Sequence, residues 1–562
     1  MSKNTQFDVI VVGSGVTGGW AAKELTQKGF KVLMIERGRA IEHITGYTNE
    51  TKAPWQMPFR GWGDPRMVAR DYKAQRHAHD FDEWSMDHFV NDSQFPYQTD
   101  PDAPFNWIRA YQLGGRSLVW GRQCYRWSDL DFGANKKDGH GVDWPIRYRD
   151  IAPWYDYVEN FIGVSGSQEG LMQLPDGQFQ PPMQLNVVEQ HAKRKIEAAL
   201  PDRKMIIGRV ANLTEAKEGR GVCQNRSICA RGCSYGAYFS TQSSTLPAAR
   251  ATGNLTLVTG QVVEKILTDP RTGRATGVAS YDSKTKRGTQ YTARAVFLCA
   301  GSFNSVAVLM RSADERHPQG LANGSGTLGR YIMDHANTLA AVGPVPGFED
   351  RTSFGNRPTG IVVPRFRNVD SDAPNFVRGY SYQGGAFQRG FTRGAAAPGL
   401  GAELKATLRK PGPWHFAMVV FAECLPNADN RITLDRKAKD SDGFAQLRIR
   451  LRYGENERAA IKDGAAEARK MMAAMGGSTD LSFEEPGVPG TAIHEMGGAR
   501  MGADPSQAVL DAHNRAHEVP NLFVTDGACM ASSACVNPSL TYMALTARAA
   551  DFAATELKAG RL

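Results

Sequence analysis

Residues 7–12 form a short apolar run that suits a buried strand, and the glycines of 13–18 interrupt it. Residues 21–28 then carry the pattern of a helix and 31–36 that of a second strand, so the chain opens with a βαβ unit. Residues 41–110 are rich in Trp, Pro, His and Asp without clear periodicity, which predicts long, loop-rich connections covering something. Between 255 and 300 the pattern is strand-like, as in LTLVTGQVVEKIL and YTARAVFLCAG. Residues 455–476 predict a helix stopped by glycine, and a last helix runs from near Leu540 towards another glycine. The chain shows no internal repeat, no low-complexity linker and no apolar stretch long enough to predict a transmembrane helix.

With 562 residues, the chain is too long for one simple core and predicts two intimately connected domains. Its 58 glycines predict several tight turns with backbone close to a ligand. The net charge of +9 is scattered among acids rather than gathered in a basic block. That disfavours nucleic-acid binding and leaves a mild pull towards acidic partners or membrane surfaces. The opening MSKNTQFDVIVVGSG lacks the series of regions that makes an export signal. The expectation is a cytoplasmic protein, or one exported by a route its own sequence does not encode. Eight cysteines at this length do not read as a disulfide scaffold.

Gly13, Gly15 and Gly18 have G-x-G-x-x-G spacing between strand and helix. The first permits a tight turn, the second lets backbone approach a pyrophosphate, and the third lets helix pack on strand. The helix start, with Val16 and Thr17, offers free N–H groups to phosphate. Glu36 closes the second strand where an acid can bind a ribose hydroxyl, and Arg37 follows it. The spacing alone does not separate FAD from NAD; the place at the start of the chain and the Glu36-Arg37-Gly38 ending favour FAD.

Further segments occur in a specific order: GGRSLVWG from Gly114, AVFLCAGSFNSVAVLM from Ala295, GRYIMDH from Gly329, HEMGGARMG from His494, LFVTDGACM from Leu522 and VNPSLTYMALTARAA from Val536. In this order, with the N-terminal unit, the chain resembles the glucose–methanol–choline (GMC) family of FAD-dependent oxidoreductases over nearly its whole length. The resemblance implies an α/β fold: a Rossmann-like FAD domain (1–45, 100–145, 205–335 and 490–562) with an inserted mixed-sheet substrate domain (46–99, 146–204 and 336–489). It implies FAD contacts at Gly13, Gly15, Val16, Thr17, Gly18, Glu36 and Arg37. Further contacts are expected at Gly114, Gly115, Ser117, Trp120, Gly121, Val263, Ala300, Gly301, Asp526, Gly527, Asn537, Pro538 and Ser539. Some family members attach FAD through a histidine just before that tryptophan; here the position is Val119, which has no nucleophile, so non-covalent FAD is expected.

The resemblance also implies a catalytic pair, His494 and Asn537, before flavin N5. A neutral imidazole suits removal of a hydroxyl proton near neutrality, while an amide can hold the same oxygen. His335 reads as structural. Cys223, Cys229 and Cys233 lie within eleven residues, and thiolates so spaced can ligate iron–sulfur clusters. The segment resembles the cysteine segment of bacterial FAD-dependent sugar dehydrogenases, implying a 3Fe-4S cluster, although one thiol of an adjacent pair found there is missing. The ending NLFVTDGACMASSACVNPSLTYMALTARAADFA most resembles large subunits of glucoside 3-dehydrogenases. That implies oxidation of a glucoside C3 hydroxyl, a small subunit carrying the export signal, a c-type cytochrome or other electron acceptor, and a periplasmic location. The alternatives are a sugar oxidase using O2, or a gluconate or glucose dehydrogenase acting at C2 or C1.

Overall fold

A computed structural model describes residues 6–353, 355–371, 373, 375–395 and 397–562. In chain order its strands are β1 (Gln6–Val12), β2 (Val32–Glu36), β3 (Gln98–Thr99), β4 (Ile206–Ile207), β5 (Leu255–Thr259), β6 (Gln261–Thr268), β7 (Ala275–Asp282) and β8 (Gly288–Leu298). They continue as β9 (Ala336–Pro344), β10 (Ile361–Val363), β11 (Tyr380–Gln388), β12 (Trp414–Ala422), β13 (Arg431–Lys439), β14 (Ala445–Arg450) and β15 (Leu522–Val524).

The largest sheet has the order β5-β2-β1-β8-β7-β6, with β15 also paired to β8. Its centre is parallel: Val12 pairs with Ile35 of β2 and with Leu298 of β8. The apolar run of β1 follows from burial on both faces. Val9 and Val11 enter one core with Phe297, Phe523 and Ala549, Ala550, Ala553 and Ala554 of the C-terminal helix Ser539–Lys558, whereas Ile10 and Val12 enter the main core. Strands β6, β7 and β8 extend the sheet as an antiparallel meander.

The first helix spans Val16–Gln27, so it starts directly after Gly15 and not near residue 21. Glycine inside a helix hides it from a pattern search. The reason is packing: a Cβ on Gly18 would lie 2.0 Å from the Gly13 carbonyl oxygen, and one on Gly19 2.4 Å from Thr245 Oγ1. The predicted helices near 455 and 540 are present as Glu455–Ala474 and Ser539–Lys558.

A second sheet has the order β4-β10-β11-β12-β9 and is antiparallel throughout. The helix Glu455–Ala474 covers it, with Gly464 admitting Val420. A small sheet joins β13, β14 and β3. No helix among the described residues is long and apolar enough to cross a membrane.

Candidate active site

A cavity of about 930 Å³ runs from the first glycine turn to the second sheet. This is near the top of the usual range for ligand pockets, about 300–1,000 Å³. At one end its wall is Gly13, Gly15, Val16 and Thr17, with Glu36 and Arg37 beside them. Gly13 has φ +94°, and a Cβ there would lie 2.4 Å from the Cys299 carbonyl oxygen. A Cβ on Gly15 would meet nothing within 4 Å, so the space in front of that residue is open. The helix starting at Val16 has no side-chain cap and no acid in its first turn, leaving its N–H groups and positive dipole end available to an anion. Both Glu36 oxygens are held: Oε2 accepts from the Ser14 N–H and hydroxyl at 3.1 and 2.6 Å, and Oε1 from the Gly38 N–H at 2.8 Å. Burial pushes its pKa up. The Arg37 guanidinium stacks on Tyr111 at 3.8 Å and pairs with Asp442 at 2.7 Å.

The middle of the cavity is bounded by Gly115, Ser117, Trp120, Gly121, Val263, Ala300 and Gly301. Gly18 and Gly114 stand behind this wall. Gly114 has φ +82°, and its N–H donates to Ser14 Oγ at 2.9 Å, tying the two glycine loops together. A Cβ on Gly115 would find only Gly15 backbone near it, its Cα at 3.5 Å and its N at 3.9 Å. Trp120 is fixed by an Nε1–H bond to the Phe239 carbonyl, and the Ser117 hydroxyl accepts from the Thr241 N–H. Asp526 accepts from the N–H groups of Gly301 and Ala528, and burial lifts its pKa to about 6. Asp526, Gly527, Pro538 and Ser539 complete the wall, where the uncapped helix Ser539–Lys558 begins.

At the far end lie His494 and Asn537. Asn537 Nδ2 is 2.9 Å from His494 Nε2. Asn537 Oδ1 accepts from Gln383 Nε2 at 2.6 Å, and Gln383 comes from β11. Phe421 of β12 tilts against the His494 ring at 6.1 Å. His494 is held by its backbone: its N–H donates to Asp334 Oδ1 at 3.0 Å, while the Gly490 N–H donates to Oδ2 at 2.7 Å. Ile493, the residue before it, has φ +63°, a strained conformation for a β-branched side chain. Burial, then the neighbouring His335, then the Arg116 charge hold the His494 pKa well below the usual histidine range. Asp334 is pushed up to about 7 by burial, with Glu495 adding. Arg116 binds Glu495 through two nitrogens, at 3.0 and 2.7 Å.

Motif reasoning does not single out Asp334, Gln383, Arg116 or Glu495, and reads His335 as structural. Asp334 and His335 sit in the quoted GRYIMDH segment and Glu495 follows His494, so proximity to motifs was the one available signal. Gln383 lies in a strand with no motif.

The cysteine expectation needs correction. Cys223, Cys229 and Cys233 line a small cavity of about 20 Å³, little more than room for one water, and Cys229 also lies in the wall of the main cavity. Cys223 Sγ faces Asn225 Oδ1 at 3.7 Å, and Cys233 Sγ is contacted by Arg226, which is itself paired to Glu50. Burial raises the thiol pKa of Cys223 and Cys229. No group of three or more potential ligands arranged to hold a metal occurs among the described residues. The iron–sulfur expectation is therefore not supported by this arrangement.

Two family models, both described as GMC oxidoreductase, match residues 7–337 and 426–546. The chain belongs to the GMC oxidoreductase family. It is 29% identical to 2-methyl-1,2-propanediol dehydrogenase of Mycolicibacterium austroafricanum, over 97% of this chain and 95% of that protein. It is 25% identical to the fructose dehydrogenase large subunit of Gluconobacter japonicus over the whole of both. The formate oxidase structure of Aspergillus oryzae RIB40 superposes with a TM-score of 0.63 over the whole of both chains, at 14% identity, a likeness of fold. This GMC protein therefore has the family's FAD-binding fold and acts on CH–OH groups. The open space before Gly15, the uncapped helix start and the size of the cavity fit FAD.

Proposed function

We propose that this GMC protein is a sugar dehydrogenase that oxidises a secondary alcohol of a glucoside, at C3, to the 3-keto sugar. The observation that carries the reading is the His494–Asn537 pair, 2.9 Å apart in the wall of the cavity that begins at the dinucleotide turn. The choice of a glucoside is supported by the resemblance of the ending Asn521–Ala553 to glucoside 3-dehydrogenases and by the likeness to a fructose dehydrogenase.

The open face of Gly15 and the N–H groups of the first helix would hold the pyrophosphate, and Glu36 a ribose. Gly115, Ser117, Trp120 and the start of the last helix would surround the ring system. Val119 offers no nucleophile, so the cofactor is held without a covalent bond. Bound FAD supplies a two-electron hydride acceptor. The chain's own part is proton handling: His494 Nε2 takes the hydroxyl proton while an Asn537 N–H holds the oxygen as it gains charge. Phe421 packs against the imidazole and keeps water from that side. In this reading residues 1–45, 100–145, 205–335 and 490–562 serve the cofactor, and 46–99, 146–204 and 336–489 serve the sugar.

The relative described as a large subunit supports a partner subunit for this chain as well. We place a small subunit carrying the export signal, a c-type cytochrome acceptor and a periplasmic site within the same proposal. The test is to add methyl glucoside to purified protein under argon and follow the flavin absorbance. Bleaching, with a 3-keto sugar as product, supports the reading. A spectrum unchanged by every glucoside, or a product oxidised at C1 or C2, overturns it.

A further inference from the structure

His335 is fully buried immediately before β9, one residue after Asp334, and both of its ring nitrogens are engaged. Its Nδ1 lies 2.8 Å from His494 Nδ1 and its Nε2 lies 2.9 Å from the Ser533 carbonyl oxygen. The rings meet nearly edge to face, at 78°. We infer that His335 is a positioning residue: its bond to the Ser533 carbonyl sets the tautomer of His494 and leaves the Nε2 lone pair of that ring facing the cavity. This inference rests on the proposed role of His494 as base.

The argument is one of donors and acceptors. A carbonyl oxygen can only accept, so His335 Nε2 must carry a proton. Burial lowers the His335 pKa and keeps the ring neutral, so its Nδ1 carries only a lone pair. His494 Nδ1 faces that lone pair at hydrogen-bond distance and must therefore be the N–H donor. A neutral His494 protonated at Nδ1 has a bare Nε2, which accepts from Asn537 Nδ2. Asn537 Oδ1 in turn accepts from Gln383. All four bonds point the same way, from Gln383 to the Ser533 carbonyl. Reversing the chain by turning the Asn537 amide and moving the His494 proton to Nε2 would set two lone pairs against each other at 2.9 Å, at Ser533.

The anchor is held in place. The Ser533 hydroxyl donates to the Cys424 carbonyl and accepts from the Cys424 N–H, fixing that peptide against the end of β12, and the next residue, Ala534, has φ +53°. The other side is equally fixed, because Asp334 receives the His494 N–H and the Tyr453 hydroxyl donates to the His335 carbonyl at 2.8 Å. During turnover the alcohol hydroxyl takes the place of the Asn537 N–H at His494 Nε2. The proton gained there makes an imidazolium whose Nδ1–H remains bonded to neutral His335. The chain ends at a carbonyl that cannot take a proton, so the proton stays on the histidine pair until it leaves through the cavity.

Two substitutions separate the contacts. An asparagine at 335 puts an amide where Nδ1 stands, able to accept from His494; a glutamine puts its amide where Nε2 stands, keeping Ser533 and losing His494. The holoenzyme, grown with heavy-nitrogen-labelled histidine, is examined by long-range proton–nitrogen NMR, with the His494 signals identified as those lost in His494→Ala. The native enzyme should show His494 protonated at Nδ1, and His335→Gln should shift it to the Nε2–H form. With flavin content and melting point retained, His335→Gln should lose roughly 100-fold in kcat with little change in KM, within the span of a general base, and His335→Asn should also lose activity, because its amide no longer reaches Ser533 and can turn to donate as readily as accept. Native His494 protonated at Nε2, or wild-type kcat in His335→Gln, overturns the inference whatever the other variant does. Full activity of His494→Ala instead overturns the base assignment and leaves the NMR result for the tautomer standing.

Discussion

Gly15 and Gly18 belong to one motif, yet the structure assigns them opposite costs when each becomes alanine. At Gly15 the backbone is extended, with φ −62° and ψ −165°, and an added Cβ meets nothing within 4 Å. Gly15→Ala should leave the apoprotein as stable as before, or more stable by about 0.4–1 kcal/mol, because the unfolded chain loses freedom. The same methyl occupies space that the pyrophosphate needs. Losing one charge-assisted hydrogen bond costs about 1.5–3 kcal/mol, and each 1.4 kcal/mol is about tenfold in affinity. FAD should therefore bind about 10- to 100-fold more weakly. At Gly18 the new Cβ would lie 2.0 Å from the Gly13 carbonyl oxygen and 2.8 Å from its carbon, both backbone atoms of the turn itself. Overpacking of this kind costs about 1–3 kcal/mol, and it would push the turn away from the cofactor as well. The assay is FAD titration of deflavinated protein, followed by thermal melts with and without FAD. Gly15→Ala should lose affinity only; Gly18→Ala should lose affinity and apoprotein stability together. Equal apoprotein melting points for the two variants, or native FAD affinity in Gly15→Ala, would refute the reasoning.

Other outcomes follow from the far end of the cavity. His494→Ala should keep FAD and fold but lose about 10²–10⁴-fold in kcat, measured with a dye acceptor, as expected for a general base. Asn537→Ala should lose less, about tenfold for one hydrogen bond that strengthens as charge develops. Because His494 is held below the usual histidine range, it is unprotonated at neutrality; kcat/KM should rise with pH only on the acid side, with its midpoint below about pH 6.5. A midpoint above neutrality would contradict the burial seen here. Arg116→Met leaves Glu495 buried without its partner and should lower stability by about 3–5 kcal/mol, read from denaturant unfolding.

Legibility from sequence followed locality. The dinucleotide turn, β1, β2 and the two long helices were readable because their signals are contiguous: an apolar run, fixed glycine spacing, a helical period. The start of the first helix was missed because Gly18 and Gly19 look like breakers until their neighbours, Gly13 and Thr245, are known. The cysteine segment shows the opposite failure. Its spacing suits a cluster, but in the folded loop Cys223 and Cys233 face different polar partners, Asn225 and Arg226, and the described residues hold no group of three or more ligands arranged for a metal.

By itself the sequence determined the Rossmann-like start, because that rests on residue types at short spacing, while the ordered motifs, through their resemblance to the family, pointed to FAD and to the pair His494 and Asn537. The tertiary structure decided how that pair is held. Gln383, Ser533, Asp334 and His335 come from a strand and two loops spread over about 200 residues, and only folding brings them around one imidazole. Hydrogen bonds act over about 3 Å in space and leave no periodic trace along a chain. The direction of the proton network is therefore a property of the packed molecule.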